Sequence, residues 1–391
     1  MKPRPLHVLM VLESSYPAAR GGGAEGQVRT LSRALRCNGQ RVTVLVPRMR
    51  RGPQQKISRV DGVPVCRLAY PRVRLVGSVW LWLATAAFLF RRRHRYDIWH
   101  AHIAHHLAAI GAVLGYCLDK RVLTKVAGSW ELERGALAEG SGALNRLAFS
   151  GLAFNGAWQA TSQRMAATLV ARGIAGSRVV AIPNAVDTKR FAGIRRDHEA
   201  PARFIFIGRM TEEKSLDTLL EAFADIAAAH PDTSLLLVGT GTMEAGLKNL
   251  SHGLGLGGRV CFAGHCDDIE AQLADANIGV QCSRIEGLSN TLLESMAAGL
   301  PMVASRISGN EDFVREDETG WLFEPGDRAG LARCLAAAAA VMPLQRAAMG
   351  DEARATVTRQ AGVDQVLARL LALYRGQRLP LASTELPSRS T

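Results

Sequence analysis

The sequence predicts an α/β protein built from two Rossmann-like, doubly wound domains facing one another across a cleft. Three observations carry this expectation. Short apolar runs of strand length alternate with stretches of helical periodicity along most of the chain, the signature of helices layered on parallel sheets. The alternation restarts after a polar stretch at Gly193–Ala202. The length, 391 residues, is enough for two domains with a core each.

The elements follow in order. Leu6–Leu12 reads as the first strand, and Ala24–Arg36 as a helix with Val28, Leu31 and Leu35 on one face. Strands are then expected at Arg41–Val46, Val63–Leu68, Asp97–Ala101, Val122–Val126, Ala157–Thr161 and Val179–Ile182. The turn-rich Pro183–Phe191 marks the junction, placing the domains at 1–184 and 185–360. In the second domain, strands are expected at Arg203–Ile207, Leu235–Val238, Val260–Phe262, Ile278–Gln281 and Met302–Ala304. Helices are expected at Leu216–Ala229, Met243–Leu250, Asp267–Ala274, Asn290–Ala298 and Gly330–Ala340. A last helix, Val363–Tyr374, places Val366, Leu367, Leu370 and Leu371 at helical spacing and needs a surface to cover. The segment 361–376 is therefore expected to cross back to the first domain, with 377–391 a disordered polar tail.

Composition narrows the function. Apolar residues make up 48% and charged residues 21%, which excludes a disordered or collagen-like chain. Seven scattered cysteines without a CxxC pair indicate neither a disulfide framework nor a zinc knot, and fit a reducing cytoplasm. The formal charge of +13 is uneven: residues 1–184 carry 27 Lys/Arg against 8 Asp/Glu, the rest 21 against 27. Such asymmetry suits an anionic partner for the first half, acidic lipid or nucleic acid, although an Arg-rich coding bias would produce it too. The 6% aromatic content offers no RNA-type stacking platform, and no nucleic-acid partner is expected.

No targeting segment is expected, since the first apolar run is cut by His7, ended by Glu13 and followed by no small-residue cleavage site. Leu75–Phe90 is an uncharged, strongly apolar stretch of 16 residues, where a membrane span needs about 20. It holds Trp80 and Trp82 between Arg72, Arg74 and the run Arg91-Arg-Arg-His-Arg95. It reads as a core helix with a solvated basic end, as a helix docking on an anionic membrane surface, or as both if one face packs inward while its end dips into lipid.

Gly21-Gly-Gly-Ala-Glu-Gly26 matches GxGxxG literally. A dinucleotide site needs a tight first turn and an acid closing the second strand, yet eight residues separate strand from glycines and that strand ends Val46-Pro-Arg48. What survives is a flexible loop whose amides can approach a phosphate or sugar, or a surface loop without that role.

The second half is more informative. Gly208-Arg-Met-Thr-Glu-Glu-Lys214 puts Arg209 and Lys214 on the loop leaving a strand, where ligands of open α/β sheets bind. Two such cations can clamp a diphosphate, and Gly208 lets the backbone come close. Glu286-Gly-Leu-Ser-Asn-Thr-Leu-Leu-Glu294 follows a later strand. There Asn290 or Ser289 can cap a helix whose free N–H groups face an anion. Glu294, one turn inside, can accept both hydroxyls of a ribose, and Glu286 can reach hydroxyls on whatever the phosphate carries.

These segments resemble the GT-B-fold retaining glycosyltransferases of the family 4 type (glycosyl transferases group 1). Leu216-Asp-Thr-Leu-Leu-Glu-Ala-Phe223, Leu236-Leu-Val-Gly-Thr-Gly241, Val260-Cys-Phe-Ala-Gly264, Ser295-Met-Ala-Ala-Gly-Leu-Pro-Met-Val-Ala304 and Gly320 extend the match over nearly the whole chain. The resemblance implies a two-domain fold with acceptor-side and donor-nucleotide-binding halves. It implies transfer of a sugar from a nucleotide-diphosphate sugar to a carbohydrate or lipid-linked oligosaccharide acceptor, with retained configuration, in cell-surface polysaccharide or glycolipid synthesis. Arg209 and Lys214 then match the pair neutralising the donor diphosphate, Glu286 the acid near the donor sugar, and Glu294 the ribose-binding acid. Gly287, Leu288, Ser289 and Asn290 match the phosphate and sugar cradle, Gly22 and Gly23 its opposite wall, and His265 lies near the base site. The family needs no metal or other cofactor, and the sequence lacks the Asp-x-Asp of metal-dependent transferases.

Some positions depart from the family. Many relatives end an N-domain strand with Thr-x-His; here Val122-Leu-Thr-Lys-Val-Ala-Gly-Ser-Trp130 has Ala127 near that place. Ser215 and Ala185 stand where glycine is usual. In His100-Ala-His-Ile-Ala-His-His106, His102 follows a strand end and is expected by analogy to face the cleft as a catalytic group, rather than to bind a metal. The expected function is thus a cytoplasmic glycosyltransferase, peripheral on the inner face of the membrane. A catalytically silent sugar-nucleotide-binding relative and a basic nucleic-acid-binding protein are the alternatives.

Overall fold

A computed structural model describes residues 4–17, 22–49, 55–73, 75–128, 130–133, 137, 142–197 and 199–377. The tail expected at 377–391 lies outside these except for Gln377, and Gly21 of the glycine loop is outside as well. The chain divides into two compact units. Unit 1 comprises Met1–Ala185 and Val366–Thr391, and unit 2 comprises Val186–Gln365. The last helix, Val363–Tyr374, therefore begins in unit 2 and continues from Val366 in unit 1, five residues later than the sequence reading placed the return.

Among the described residues, unit 1 holds eight strands: β1 (His7–Val11), β2 (Arg41–Pro47), β3 (Ile57–Val60), β4 (Val63–Leu68), β5 (Ile98–Ala101), β6 (Arg121–Val126), β7 (Ala157–Ala160) and β8 (Val179–Ala181). Their order is β3-β4-β2-β1-β5-β6-β7-β8, parallel except for the antiparallel β3–β4 edge. The strands read as unbroken apolar runs because helices cover both faces of a parallel sheet; Val8–Val11 are buried throughout. The short edge strand β3 escaped the sequence reading, since Ile-Ser-Arg-Val alternates between exposed and partly exposed residues and offers no apolar run. The returning helix buries Val366, Leu367, Leu370, Leu371 and Tyr374. Within unit 1, Arg121 Nη1 donates to the Tyr374 carbonyl at 2.8 Å and Arg369 to that of Ala181.

The helix Val76–Arg91 packs inward along one side only. Only Gly77, Leu81, Thr85 and Leu89 are buried, one narrow stripe at four-residue spacing. Val76, Val79, Trp80, Leu83 and Phe90 lie exposed on the other side, Trp80 at 55% and Leu83 at 64%. No helix among the described residues is long and apolar enough to cross a membrane.

Unit 2 holds β9 (Arg203–Ile207), β10 (Ser234–Val238), β11 (Val260–Gly264), β12 (Ile278–Gln281), β13 (Met302–Ser305) and β14 (Gly320–Phe323), in the order β11-β10-β9-β12-β13-β14, all parallel. Successive strand side chains point to opposite faces: Phe204 and Phe206 join one apolar cluster with Leu219 and Phe223, while Ile205 joins the other with Leu292 and Met296. The connections run one way from β9 to β10 and β11 and the other way from β12 to β13 and β14. The carboxyl ends of β9 and β12 thus flank a topological switch point, where open α/β sheets bind ligands. Close backbone approach is enforced there: Gly239 sits at φ +134°, and a Cβ on it would lie 1.8 Å from the Gly208 carbonyl oxygen.

Candidate functional site

The loops at the ends of β9 and β12 are bound to one another. Arg284 N–H donates to the Glu213 carbonyl at 2.9 Å, and the Cys282 thiol donates to that of Lys214 at 3.1 Å. This brings Lys214 Nζ into an ion pair with Glu286 Oε2, which Ser283 Oγ also approaches at 3.5 Å. Lys214 is only 11% exposed, so its charge acts in a low-dielectric pocket rather than in bulk water. Arg209 is not drawn in. Its side chain is 67% exposed and its only described ion pair is with Glu213 Oε1 at 3.3 Å.

Between these loops and the helix Asn290–Ala297, the turn Gly287–Ser289 is buried. Gly309, at φ +92°, packs so closely that a Cβ on it would lie 2.4 Å from the Gly287 oxygen. Of the two cap candidates, Ser289 is the one used: its Oγ accepts from Leu292 N–H at 3.4 Å, and Asn290 is the first helical residue. Leu288 points into the apolar cluster and is 3% exposed, so from this turn its backbone rather than its side chain is what a ligand could meet. One turn on, burial pushes the Glu294 carboxyl up to about 7, with Arg190 opposing and Glu270 adding to the shift. Arg190 itself is held by Glu270 Oε1 at 2.7 Å. His265 follows β11, two strands from β9, and its Nε2 lies 3.2 Å from Asp267 Oδ1.

Ser215 adopts the left-handed conformation at φ +50°, ψ +43°, directly after Lys214. The glycine usual there is thus replaced by a residue that carries the strain, and its buried hydroxyl finds no hydrogen-bond partner. Ala185 takes no positive φ, so glycine's freedom is not needed at that position.

In unit 1, Gly22 is the extended N-cap of the helix Gly23–Cys37 and supplies no side-chain cap. His102, expected to face an opening, is 1% exposed with both ring nitrogens unpartnered. It stacks on His100 at 4.1 Å, and His100 Nδ1 lies 2.7 Å from the Tyr374 hydroxyl. Burial, then the nearby Lys125 charge, push His100 down to about 3; burial, then His100 and Lys125, push His102 well below the usual range. Both rings are therefore neutral at physiological pH.

The sequence reading missed two further ionisable members of this core. Lys125 Nζ donates to Asn184 Oδ1 at 2.6 Å, and burial pushes it down to about 7 against the attraction of Glu131. Glu131 accepts from the N–H groups of Ala104 and Ala127 at 2.6 Å and Gly128 at 3.0 Å, yet burial still pushes it up to about 7. The available signal was a lysine inside the otherwise apolar run Val122–Val126.

The family described as Glycosyl transferases group 1 matches residues 189–356, and Glycosyltransferase Family 4 matches residues 21–190. The chain is 37% identical over 158 residues to the lipopolysaccharide core biosynthesis glycosyltransferase LpsE of Rhizobium meliloti (strain 1021), covering 39% of this chain and 45% of that protein. It is 34% identical over 129 residues to the putative glycosyltransferase EpsD of Bacillus subtilis (strain 168), covering 33% of this chain and 34% of that one. The chain thus spans less than half the length of these relatives. Against the 2-deoxystreptamine glucosyltransferase of Streptomyces kanamyceticus, 28% identity extends over 78% of this chain and 87% of the relative. Among solved structures, Anabaena HepE in complex with UDP superposes with a TM-score of 0.75 at 18% identity, covering 95% of this chain and all of the other. The sucrose-phosphate synthase of Thermosynechococcus elongatus does so with 0.75 at 22%, covering 95% and 98%. These likenesses show the same fold.

Proposed function

The chain belongs to the GT-B-fold glycosyltransferases of the family 4, group 1 type, and we propose that it moves a sugar from a nucleoside-diphosphate donor to a carbohydrate or lipid-linked acceptor with retention, in cell-surface polysaccharide or glycolipid synthesis. The observation that supports this most is the partly buried Lys214–Glu286 pair at the switch point of unit 2, beside the N-terminus of the helix Asn290–Ala297. Lys214, with Arg209 folding in over the ligand, takes the diphosphate charge, and the amides after Gly287 add the helix dipole. Glu286, paired with Lys214, accepts hydroxyls of the sugar, and Glu294 those of the ribose.

Chemically, the anomeric carbon–phosphate oxygen bond breaks and its electron pair passes to the diphosphate, where Lys214 and Arg209 stabilise the growing charge. The acceptor oxygen bonds to the same face of the anomeric carbon, and its proton passes to the departing phosphate oxygen. Charge neutralisation is assigned to these two cations, with no metal in the scheme. Screening UDP-, GDP- and ADP-sugars by thermal shift and hydrolysis tests the reading. One donor should stabilise the protein and be hydrolysed slowly; stabilisation without turnover on any acceptor would mark a silent relative, and neither with any donor would refute the proposal.

The acceptor side is proposed to work at the cytoplasmic face of an anionic membrane. The exposed stripe of Val76, Val79, Trp80, Leu83 and Phe90 supports this, ending as it does in Arg91, Arg92, Arg93 and Arg95. Such a helix can lay its apolar side among acyl chains while the arginines meet headgroups.

A further inference from the structure

Glu13, two residues past β1, and His105 and His106, at the start of the helix His106–Cys117, bring three ligand-type atoms to one point. β1 and β5 are neighbours at the switch point of the unit 1 sheet, and His102 N–H donates to the Val11 carbonyl at 2.9 Å, so the backbone holds these two segments together. His105 Nδ1 lies 2.9 Å from Glu13 Oε1, His106 Nδ1 lies 3.8 Å from the same oxygen, and the two Nδ1 atoms are 3.0 Å apart.

Hydrogen bonding serves only one edge of this triangle at a time. Each Nδ1 offers one in-plane position, either an N–H or a lone pair. If His105 donates to Glu13, its hydrogen is already spent where His106 approaches, and His106 is itself too far from the carboxylate to donate to it. A cation at the centre would take one lone pair from each of the three atoms. Tetrahedral zinc, bonded at about 2.0–2.1 Å to nitrogen and oxygen, spaces its ligand atoms by about 3.3 Å, close to the edges observed.

The surroundings fit a built site. Glu13 Oε2 accepts from Leu107 N–H at 2.9 Å, which fixes the carboxylate and leaves Oε1 turned to the imidazoles. Trp82 stacks on His106 with ring centroids 5.0 Å apart. All three side chains keep some exposure, so an ion can enter. Two imidazoles and one carboxylate favour a borderline first-row ion over magnesium or calcium, which prefer all-oxygen shells.

We propose that Glu13, His105 and His106 form a three-ligand site for a divalent transition ion of the zinc class, its fourth position open to water. The ion ties the end of β1 to the start of the His106–Cys117 helix. It lies within unit 1, takes no part in the diphosphate chemistry above, and does not depend on the transferase reading.

The test uses the full chain, stripped with chelator, re-exposed to Zn2+, desalted and analysed for metal, with Co2+ titrated in parallel. Wild type should retain one equivalent of zinc, melt higher with the ion by mass action, and give the intense visible bands of four-coordinate Co2+. Glu13→Gln keeps the shape of the side chain but not its charge, and should weaken Zn2+ at least about 10-fold. Joint replacement of His105 and His106 by Ala should abolish retention, with circular dichroism reporting the fold. A wild-type chain that retains no zinc at micromolar free ion overturns the proposal. So does a Glu13→Gln chain that binds Zn2+ as wild type does, and this second criterion stands even if the double variant fails to fold.

Discussion

Gln27 grips Ala185 from both sides: its Oε1 accepts from the Ala185 N–H at 2.8 Å and its Nε2 donates to the Ala185 carbonyl at 2.9 Å. One side chain thus completes two buried backbone groups at the last residue of the first stretch of unit 1. Gln27→Ala leaves both without partners, which should cost about 2–4 kcal/mol. Gln27→Glu keeps only the acceptor and should fall between. Urea unfolding midpoints of the three proteins check the order; equal midpoints would mean that water replaces the amide.

Arg209 offers a clean probe of donor binding, because its exposed pair with Glu213 contributes at most about 1 kcal/mol to stability. Arg209→Ala should melt with wild type yet lose about 1.5–3 kcal/mol in kcat/KM for the sugar nucleotide, as a charge-assisted contact is removed. Unchanged kinetics would take Arg209 out of the site.

Glu294 titrates at about 7 in the folded chain, against an ordinary value of 4.5. Between these values the folded state holds a proton that the unfolded state has released, so stability falls as pH rises through this window and levels off above it. Glu294→Gln, which has no proton to lose, should flatten that part of the pH–stability curve. For the donor the sign reverses: ribose hydroxyls donate to the ionised carboxylate, so donor affinity should rise through pH about 7. Chemical denaturation and donor titration across this range measure the two trends.

Ser215 holds φ +50° with an orphaned buried hydroxyl. Ser215→Gly relieves about 1–2 kcal/mol of left-handed strain and removes the unpaired oxygen. The added freedom of the unfolded chain offsets about 0.4–1 kcal/mol of this. A net gain of about 1 kcal/mol is expected, read as a raised melting temperature; a loss would mean that the hydroxyl is partnered in solution.

Replacing Arg91, Arg92, Arg93 and Arg95 with Gln should release the protein from anionic liposomes while leaving donor hydrolysis intact. Each cation near the leaflet contributes about 1 kcal/mol. Trp80→Ser should weaken the same binding by removing an apolar anchor. Cosedimentation decides: equal binding to neutral and anionic vesicles, or none to either, ends the case for electrostatic docking.

The strands of unit 2 were legible almost to the residue. Arg203–Ile207 and Ile278–Gln281 are as expected, since an apolar run bounded by polar loops admits few other assignments. β14 was not, because Gly-Trp-Leu-Phe opens on a glycine just after the charged turn Glu316-Asp-Glu318 and ends in another polar turn, so it reads as part of a loop. The pairing of Lys214 with Glu286 was legible only as a shared cleft; their contact depends on the Arg284–Glu213 and Cys282–Lys214 bonds between loops 68 or more residues apart. Least visible were Lys125 and Glu131. Periodicity marks a position as buried but says nothing of the asparagine or amides, near or distant, that make a buried charge tolerable.

The divided first unit bears on how the chain is made. Ribosomal synthesis delivers residues in order, so Val186–Gln365 is complete as one continuous segment before the part of the final helix from Val366 onward emerges. The Tyr374 hydroxyl reaches His100 only after 274 further residues have been added. A nascent chain can therefore close its second unit while the first still waits with part of its apolar surface uncovered. Messages cut short before codon 366 would yield a folded half joined to an unfinished one, a natural substrate for proteolytic quality control.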